Sequence, residues 1–135
     1  MKIMVCHDGS ERAQRALAKT IDIFKAEKPE VYILTVIEPP LDATSTDEAN
    51  FEKWQEKRKG DLRKAAEYVA ANGFRAHAVL AEGDPRKMIV EAVETKSPDL
   101  LIMAKRSGGM IDKVVLGSVS DYMVRHAACP VMIIH

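Results

Sequence analysis

The chain has 135 residues, of which 47% are hydrophobic and 30% are charged, so we expect a single globular domain over residues 1–135 rather than a disordered segment. Its 20 basic and 20 acidic residues cancel, which argues against a nucleic-acid binder, because such proteins recruit phosphates with a net positive surface. Apolar runs are too short to cross a bilayer and the chain enters a strand at once, so we expect a cytoplasmic protein without membrane contact.

The first part of the chain predicts a strand, a helix and a second strand. The apolar run at 2–6 ends at "HDGS", and residues 11–27 place apolar side chains at helical spacing. The run at 30–37 is rich in β-branched and aromatic residues and is too continuously apolar to be half solvated. We therefore expect this second strand to lie inside a sheet.

The middle of the chain predicts a loop, a long helix, a third strand and a third helix. Prolines, small polar residues and acids at 38–50 indicate the loop, and residues 51–73 then carry apolar side chains, Trp54 among them, at helical spacing. Residues 74–83 alternate between apolar and polar as a strand does. Asp84, just before a proline, is typical of a helix N-terminus.

The last part predicts a fourth strand at 97–105, a loop rich in glycine and serine, a helix at 118–127 and a fifth strand at 129–135. Alternation of strands and helices indicates an α/β fold with a five-stranded parallel sheet, doubly wound, in three layers α/β/α. We expect the strand order 3-2-1-4-5. Ligands of such sheets bind where the winding reverses, so the loops after strands 1 and 4 are predicted to meet at the binding site.

The start of the last helix is a candidate anion site. Gly117 and Ser118 open this helix, and the amides of a helix N-terminus favour an anion. Ser118 with Asp121 also fits a capping box, so Ser118 is expected to cap the helix, to contact a phosphate, or to do both in different states. The chain has neither a GxGxxG turn nor a P-loop, so neither of these phosphate-binding devices is indicated.

Cysteine, histidine and carboxylate patterns give little support for catalysis. Cys6 and Cys129 lack CxxC spacing, and we expect them as buried thiols on strands 1 and 5, beyond disulfide reach. Cys6 and His7 are neighbours on a strand, so their side chains point to opposite faces and a thiolate–imidazole pair is not expected. Asp8 and Asp112 are weak candidates for holding magnesium with phosphates. We therefore expect no more than slow, incidental catalysis.

Three stretches of the sequence carry a family resemblance. "DGS" after the first strand, "LTVIEPP" within and after the second, and the long stretch "LLIMAKRSGGMIDKVVLGSVSDYMVRHAACPVMII" resemble the universal stress protein family, and the resemblance covers essentially the whole chain. It implies a five-stranded parallel α/β fold and a dimer. In many members it also implies a site for ATP, AMP or a related adenine nucleotide, with magnesium where ATP is bound.

The resemblance also suggests which residues form that site. It places Asp8 near the adenosine part of the ligand and Val36 in backbone contact with the base. The residues expected to line the ribose and phosphates are Ala104, Ser107, Gly117, Ser118 and Val119. Gly108, which supplies flexibility beside Ser107, and Ser120, close to the proposed phosphates, complete the candidate set.

The family's nucleotide motif has glycine at the positions of Ala104 and Ser107, so two functions remain open, with a slow ATPase or a phosphotransfer enzyme as a less favoured third. The first is a universal stress protein that binds an adenine nucleotide as a regulatory or sensor module in the stress response. The alternative is a member that does not bind ATP, with an empty groove or another ligand, and that acts on a protein partner through its dimer surface and the loop at 38–50. In both cases the apolar strand at 129–135 is an exposed sheet edge, so we expect a homodimer through it.

Overall fold

The computed structural model describes residues 1–40, 45–105 and 117–135. These residues form alternating strands and helices, as the sequence predicts. The elements are β1 (Lys2–Cys6), α1 (Glu11–Ile23), β2 (Glu30–Ile37), α2 (Ser45–Ala71), β3 (Ala76–Glu82), α3 (Pro85–Lys96), β4 (Leu100–Ala104), α4 (Ser118–His126) and β5 (Val131–Ile134). None of the helices in these ranges combines the length and the apolar content that crossing a membrane requires.

The strands form one five-stranded sheet in the order β3-β2-β1-β4-β5, and each adjacent pair is parallel. This arrangement confirms the predicted fold class and strand order. In the middle strand, Val5 lies beside Ile33 of β2 on one side and Ile102 of β4 on the other. The chain winds from β1 out to β3 and then returns to β4, so the winding reverses between β1 and β4.

Helices cover both faces of the sheet and enclose two separate cores. Leu17 of α1 and Val69 of α2 belong to the core on one face. Ile89 of α3 and Met123 of α4 belong to the core on the other face. β1 contributes side chains to both cores, because successive residues of a strand point to opposite faces. The three-layer α/β/α arrangement therefore follows from the apolar pattern of the strands.

Side-chain caps determine where two of the helices begin. The Ser10 hydroxyl accepts a hydrogen bond from the Ala13 amide at 3.1 Å and so caps α1. The Asp84 carboxylate accepts one from the Arg86 amide at 3.2 Å, and Pro85 occupies the first turn of α3. The predicted cap at Asp84 is thus confirmed.

Several predicted boundaries are wrong, since α1 ends at Ile23 instead of residue 27 and β4 begins at Leu100 instead of residue 97. Two further differences concern the starts of α2 and β5. The loop expected at 38–50 is shorter, because α2 begins at Ser45. Glu48 falls in its first turn, where the helix dipole favours negative charge. Cys129 was expected on the fifth strand, but β5 begins only at Val131. Pro130 lacks an amide hydrogen and contributes only its carbonyl, which accepts from the Leu101 amide at 2.9 Å.

Candidate functional site

A cleft of about 790 Å³ lies beyond the carboxyl ends of β1 and β4, where the winding of the sheet reverses. Its walls include the ends of β1, β2 and β4, the first turns of α1, α3 and α4, and two side chains of α2. A second depression of about 370 Å³ lies between α2 and β3, and its walls are mainly apolar. The larger cleft is the candidate site because hydrogen-bonding and charged groups from several elements converge there.

Most of the described residues that the resemblance assigns to a ligand meet in this cleft. The cleft is lined by the predicted residues Asp8, Val36, Ala104, Val119 and Ser120. Gly117 and Ser118 lie at the start of α4, directly before Val119, but do not line the cleft themselves. The predicted site residues Ser107 and Gly108 lie outside the described residues. The binding role of the whole set stays a prediction.

The turn between β1 and α1 holds Asp8 at the mouth of the cleft. The Asp8 carboxylate accepts a hydrogen bond from the Ser10 amide at 3.0 Å, which is the Asx turn that the sequence left open as an alternative to ligand contact. Gly9 has a φ of +82°, a conformation that glycine adopts without the strain a side chain would cause. This turn therefore orients Asp8 and leaves its side chain exposed at the cleft wall.

His7 is buried beneath the same turn, and sequence reasoning missed its structural role. Its Nδ1 accepts a hydrogen bond from the Gly9 amide at 3.1 Å, and its Nε2 lies 3.3 Å from the amide oxygen of Gln14. An accepting Nδ1 puts the proton on Nε2, so both ring nitrogens are used. The His7 carbonyl accepts from the Thr35 hydroxyl at 2.7 Å, which ties the turn to β2. His7 thus positions the Asp8 turn instead of serving as a free base.

Cys6 lines the cleft but is a poor nucleophile. Burial, with a smaller contribution from the charge of Asp8, raises the pKa of the Cys6 thiol to about 12. The thiol is therefore protonated at neutral pH, and only a thiolate attacks efficiently. Cys129 is also a free thiol, and burial is the main effect that raises its pKa. These observations agree with the expectation of two unpaired structural cysteines.

The start of α4 differs from the predicted capping box. Gly117 occupies the N-cap position, and no side chain among the described residues caps the helix. The expectation that Ser118 caps α4 is therefore wrong: Ser118 is the first helical residue, with an exposed side chain. A serine in that position cannot reach forward to the amides that an N-cap side chain contacts. Among the described residues, no capping side chain competes with an anion for the first-turn amides of α4.

Charges of both signs surround the cleft. The basic residues at its walls are Arg12, Arg15, Arg58 and Lys105. The acidic residues are Asp8, Glu11 and Glu38. A mixed wall suits a ligand with a neutral polar part and an anionic part better than a simple polyanion. In the part of the chain that the structure describes, no group of three or more histidines, cysteines or carboxylates has metal-binding geometry, and the candidate magnesium ligand Asp112 lies outside that part.

Two residues of α2, Trp54 and Arg58, also line the cleft, although the sequence pattern assigned Trp54 to the apolar face of its helix. Trp54 is 36% exposed, so it is not part of the core. Helical periodicity identifies which residues share a face, but the angle at which a long helix crosses a sheet decides which end of that face is buried. Nothing in the local sequence signals that the N-terminal half of α2 reaches the cleft.

Comparison with known proteins finds that the sequence is similar to members of one family. It matches the Universal stress protein family over residues 1–135. A universal stress protein from Methanocaldococcus jannaschii is 30% identical over 98% of this chain and 81% of its own length. A universal stress protein from Thermus aquaticus is 31% identical over 98% of this chain and 96% of its own length.

Solved structures with the same fold include two that contain nucleotides. A universal stress protein family protein from Arabidopsis thaliana, solved with AMP bound, has a TM-score of 0.72 and 25% identity, covering 99% of this chain and 90% of its own. A universal stress protein in complex with cAMP has a TM-score of 0.75 and 24% identity, covering 100% of this chain and 96% of its own.

Proposed function

Because the chain belongs to the universal stress protein family, we propose that it binds an adenine nucleotide, ATP or AMP, in the cleft and acts as a cytoplasmic regulatory module in the stress response. The observation that carries this proposal is the convergence of Asp8, Val36 and the start of α4 on one cleft of about 790 Å³. The adenine nucleotides present in two structural neighbours support the choice of ligand.

The two ends of the cleft suit the two parts of a nucleotide. Asp8 and the end of β2 at Val36 offer a carboxylate and backbone groups, which suit the ribose hydroxyls and the base. Lys105 and the first turn of α4 offer positive charge and backbone amides, which suit phosphates. If ATP is the ligand, magnesium would accompany its phosphates.

Ala104 favours the second candidate function, that of a family member that does not bind ATP and acts on a protein partner. It is the last residue of β4, is half-buried, and lines the cleft where the family's motif has glycine. Its methyl group occupies volume that a closely approaching phosphate would need. If the cleft rejects nucleotides for this reason, the protein acts instead through contacts with a protein partner.

Calorimetric titration with ATP and AMP, each with and without magnesium, separates the two candidates. Gly117→Val is the informative variant, because Gly117 has a φ of −59°, which valine adopts without strain. We expect Gly117→Val to weaken nucleotide binding by at least about tenfold, as its side chain crowds the amides of α4, while the unfolding temperature stays close to wild type. Ser118→Ala is the matched control for the hydroxyl alone. Absence of binding by the wild-type protein at millimolar nucleotide would favour the protein-contact function.

We also propose that the protein is a homodimer that pairs through residues 129–135. β5 is an edge strand that bonds to β4 on one side only. Its residues Val131–Ile134 are only half-buried, and none of them is charged. Soluble proteins usually cover or block an apolar edge of this kind. Pairing of two β5 strands across a twofold axis covers both copies with one self-complementary contact.

A further inference from the structure

Trp54 and Arg58 form a continuous aromatic and cationic surface on one face of α2. They are four residues apart and so lie one above the other on the helix. The Arg58 guanidinium carbon lies 5.4 Å from the centroid of the Trp54 ring, within cation–π range. Phe51 packs beside the Trp54 ring with the two centroids 5.8 Å apart. The Trp54 ring is therefore supported by two neighbours while part of it stays exposed to the cleft.

Arg58 also connects this surface to the turn that carries Asp8. A Cβ atom built on Gly9 would collide with Nη1 of Arg58, so the guanidinium fills the space that a side chain at position 9 would occupy. The absence of a side chain at Gly9 thus permits close contact between α2 and the β1–α1 turn. Arg58, and Trp54 one helical turn before it, therefore line the cleft on the side of the β1–α1 turn.

Charge keeps Arg58 in this position. Its Nη1 lies 3.7 Å from Oδ2 of Asp61, beyond hydrogen-bond reach, and both side chains are about three-quarters buried, with 24% and 25% of their surfaces exposed. Oδ2 of Asp61 is buried and has no hydrogen-bond partner among the described residues. The carboxylate therefore orients Arg58 by electrostatic attraction instead of by a direct hydrogen bond to Nη1.

We propose that Trp54 contacts the planar base of the bound nucleotide and that Arg58 is the positioning residue that holds the Trp54 ring for this contact. The proposal rests on the proposed function and deepens it. Aromatic side chains stack on any base, because every base has a π face. The rest of the cleft supplies the half-buried apolar side chain of Val36, on which the remainder of a planar ring can rest. The Trp54 contact should accordingly strengthen the binding of any ligand with an aromatic base and add little discrimination among bases.

The chain contains one tryptophan, so its fluorescence reports on Trp54 alone. We expect AMP to quench or shift the Trp54 emission at concentrations that match binding by calorimetry. Ribose 5-phosphate, which lacks the base, should leave the emission unchanged even where it binds. An AMP complex without any change in Trp54 emission would contradict the contact.

Variants measured by calorimetry separate a contact role from a structural one. Trp54→Ala should weaken AMP binding by about 5- to 150-fold, the usual effect of losing an aromatic stack on a base, and leave ribose 5-phosphate binding unchanged. Trp54→Phe should restore most of the affinity for AMP. Arg58→Lys keeps a positive charge beside Asp61, so it should fold normally, but it should weaken AMP binding because a lysine lacks the planar group. Arg58→Ala is unsuitable, since it leaves the buried Asp61 carboxylate unpaired.

Arg86→Ala provides the matched control, because the Arg86 guanidinium lies 5.6 Å from the Tyr122 ring and Arg86 does not line the cleft. Its AMP affinity should equal that of the wild type. If the wild type binds AMP and Trp54→Ala binds it equally well, or loses AMP and ribose 5-phosphate to the same extent, the role of Trp54 is refuted while the proposed function stands. If the wild type binds no adenine nucleotide, both are refuted.

Discussion

At the scale of single residues, Glu30 at the start of β2, far from the cleft, is the described carboxylate whose pKa is most clearly shifted. The Glu30 carboxylate lies 3.1 Å from Nε2 of His77, although that ring nitrogen is not aligned for a regular hydrogen bond, and 3.5 Å from the Arg75 guanidinium. The Tyr32 hydroxyl donates to it at 3.3 Å. The His77 ring makes the largest contribution to lowering the pKa of Glu30, and the charge of Arg75 lowers it further. Partial burial opposes both effects.

This lowered pKa predicts how stability depends on acidity. At pH values between the folded-state pKa of Glu30 and its ordinary value of 4.5, the unfolded chain holds a proton on this carboxylate and the folded protein does not. The contribution of Glu30 to stability is therefore complete above pH 4.5 and is lost as the pH falls through the folded-state pKa. We expect the difference in unfolding free energy between wild type and Glu30→Gln to shrink over that window, as measured by urea denaturation. Parallel pH profiles for the two proteins would contradict this account.

At the scale of elements, sequence pattern predicts what depends on neighbours along the chain. Continuous apolar strands and the cap at Asp84 are local signals, and both are found in the structure. The N-cap of α4 is Gly117 instead of Ser118, and the sequence alone does not decide between them because both residue types suit an N-cap. The contribution of Trp54 to the cleft was missed for a similar reason, since it depends on how α2 lies across the sheet.

Substitution of Gly60 tests how much helix propensity contributes to the stability of α2. It lies inside this helix, and a Cβ built on it meets no atom within 4 Å. Gly60→Ala should therefore stabilise the protein by about 0.5–1 kcal/mol, because alanine loses less backbone entropy in a helix. Gly73→Ala is the matched control just beyond the same helix, where a φ of +87° should make alanine destabilising by about 1 kcal/mol. Thermal and urea unfolding would measure both, and equal effects of the two substitutions would exclude this explanation.

At the scale of the whole molecule, β4 connects the cleft to the exposed edge of the sheet. Ala104 lines the cleft and lies opposite Ile134 of β5 in the sheet register. The Lys105 amide, also at the cleft, donates to the Ile134 carbonyl at 2.8 Å. A ligand that shifts the end of β4 would thus act directly on the strand proposed to form the dimer. Sequence order alone predicts this adjacency, because strands 4 and 5 are neighbours in the doubly wound topology.

The pattern of hydrogen bonds in β5 gives a specific test of the dimer. The carbonyls of Pro130 and Ile134 accept hydrogen bonds from the amides of Leu101 and Lys105, so the backbone groups of these even-numbered residues face β4. Backbone groups of successive residues in a strand alternate in direction, so those of Ile133 point outward to the free edge. Ile133→Pro removes an outward amide hydrogen, keeps the bonds to β4, and is expected to convert the dimer into a monomer in sedimentation at micromolar concentration.

Ile133→Ala is the control for the lost side chain, because Ile133 also packs against the core formed with α3 and α4. It keeps the outward amide and should remain dimeric, even though losing the larger side chain lowers its stability. A proline variant that still sediments as a dimer, or a wild-type protein that is monomeric at micromolar concentration, would exclude pairing through β5. Both substitutions remove the isoleucine side chain, but only proline removes the outward amide hydrogen and restricts the backbone, so the comparison separates edge pairing from contacts made by the Ile133 side chain.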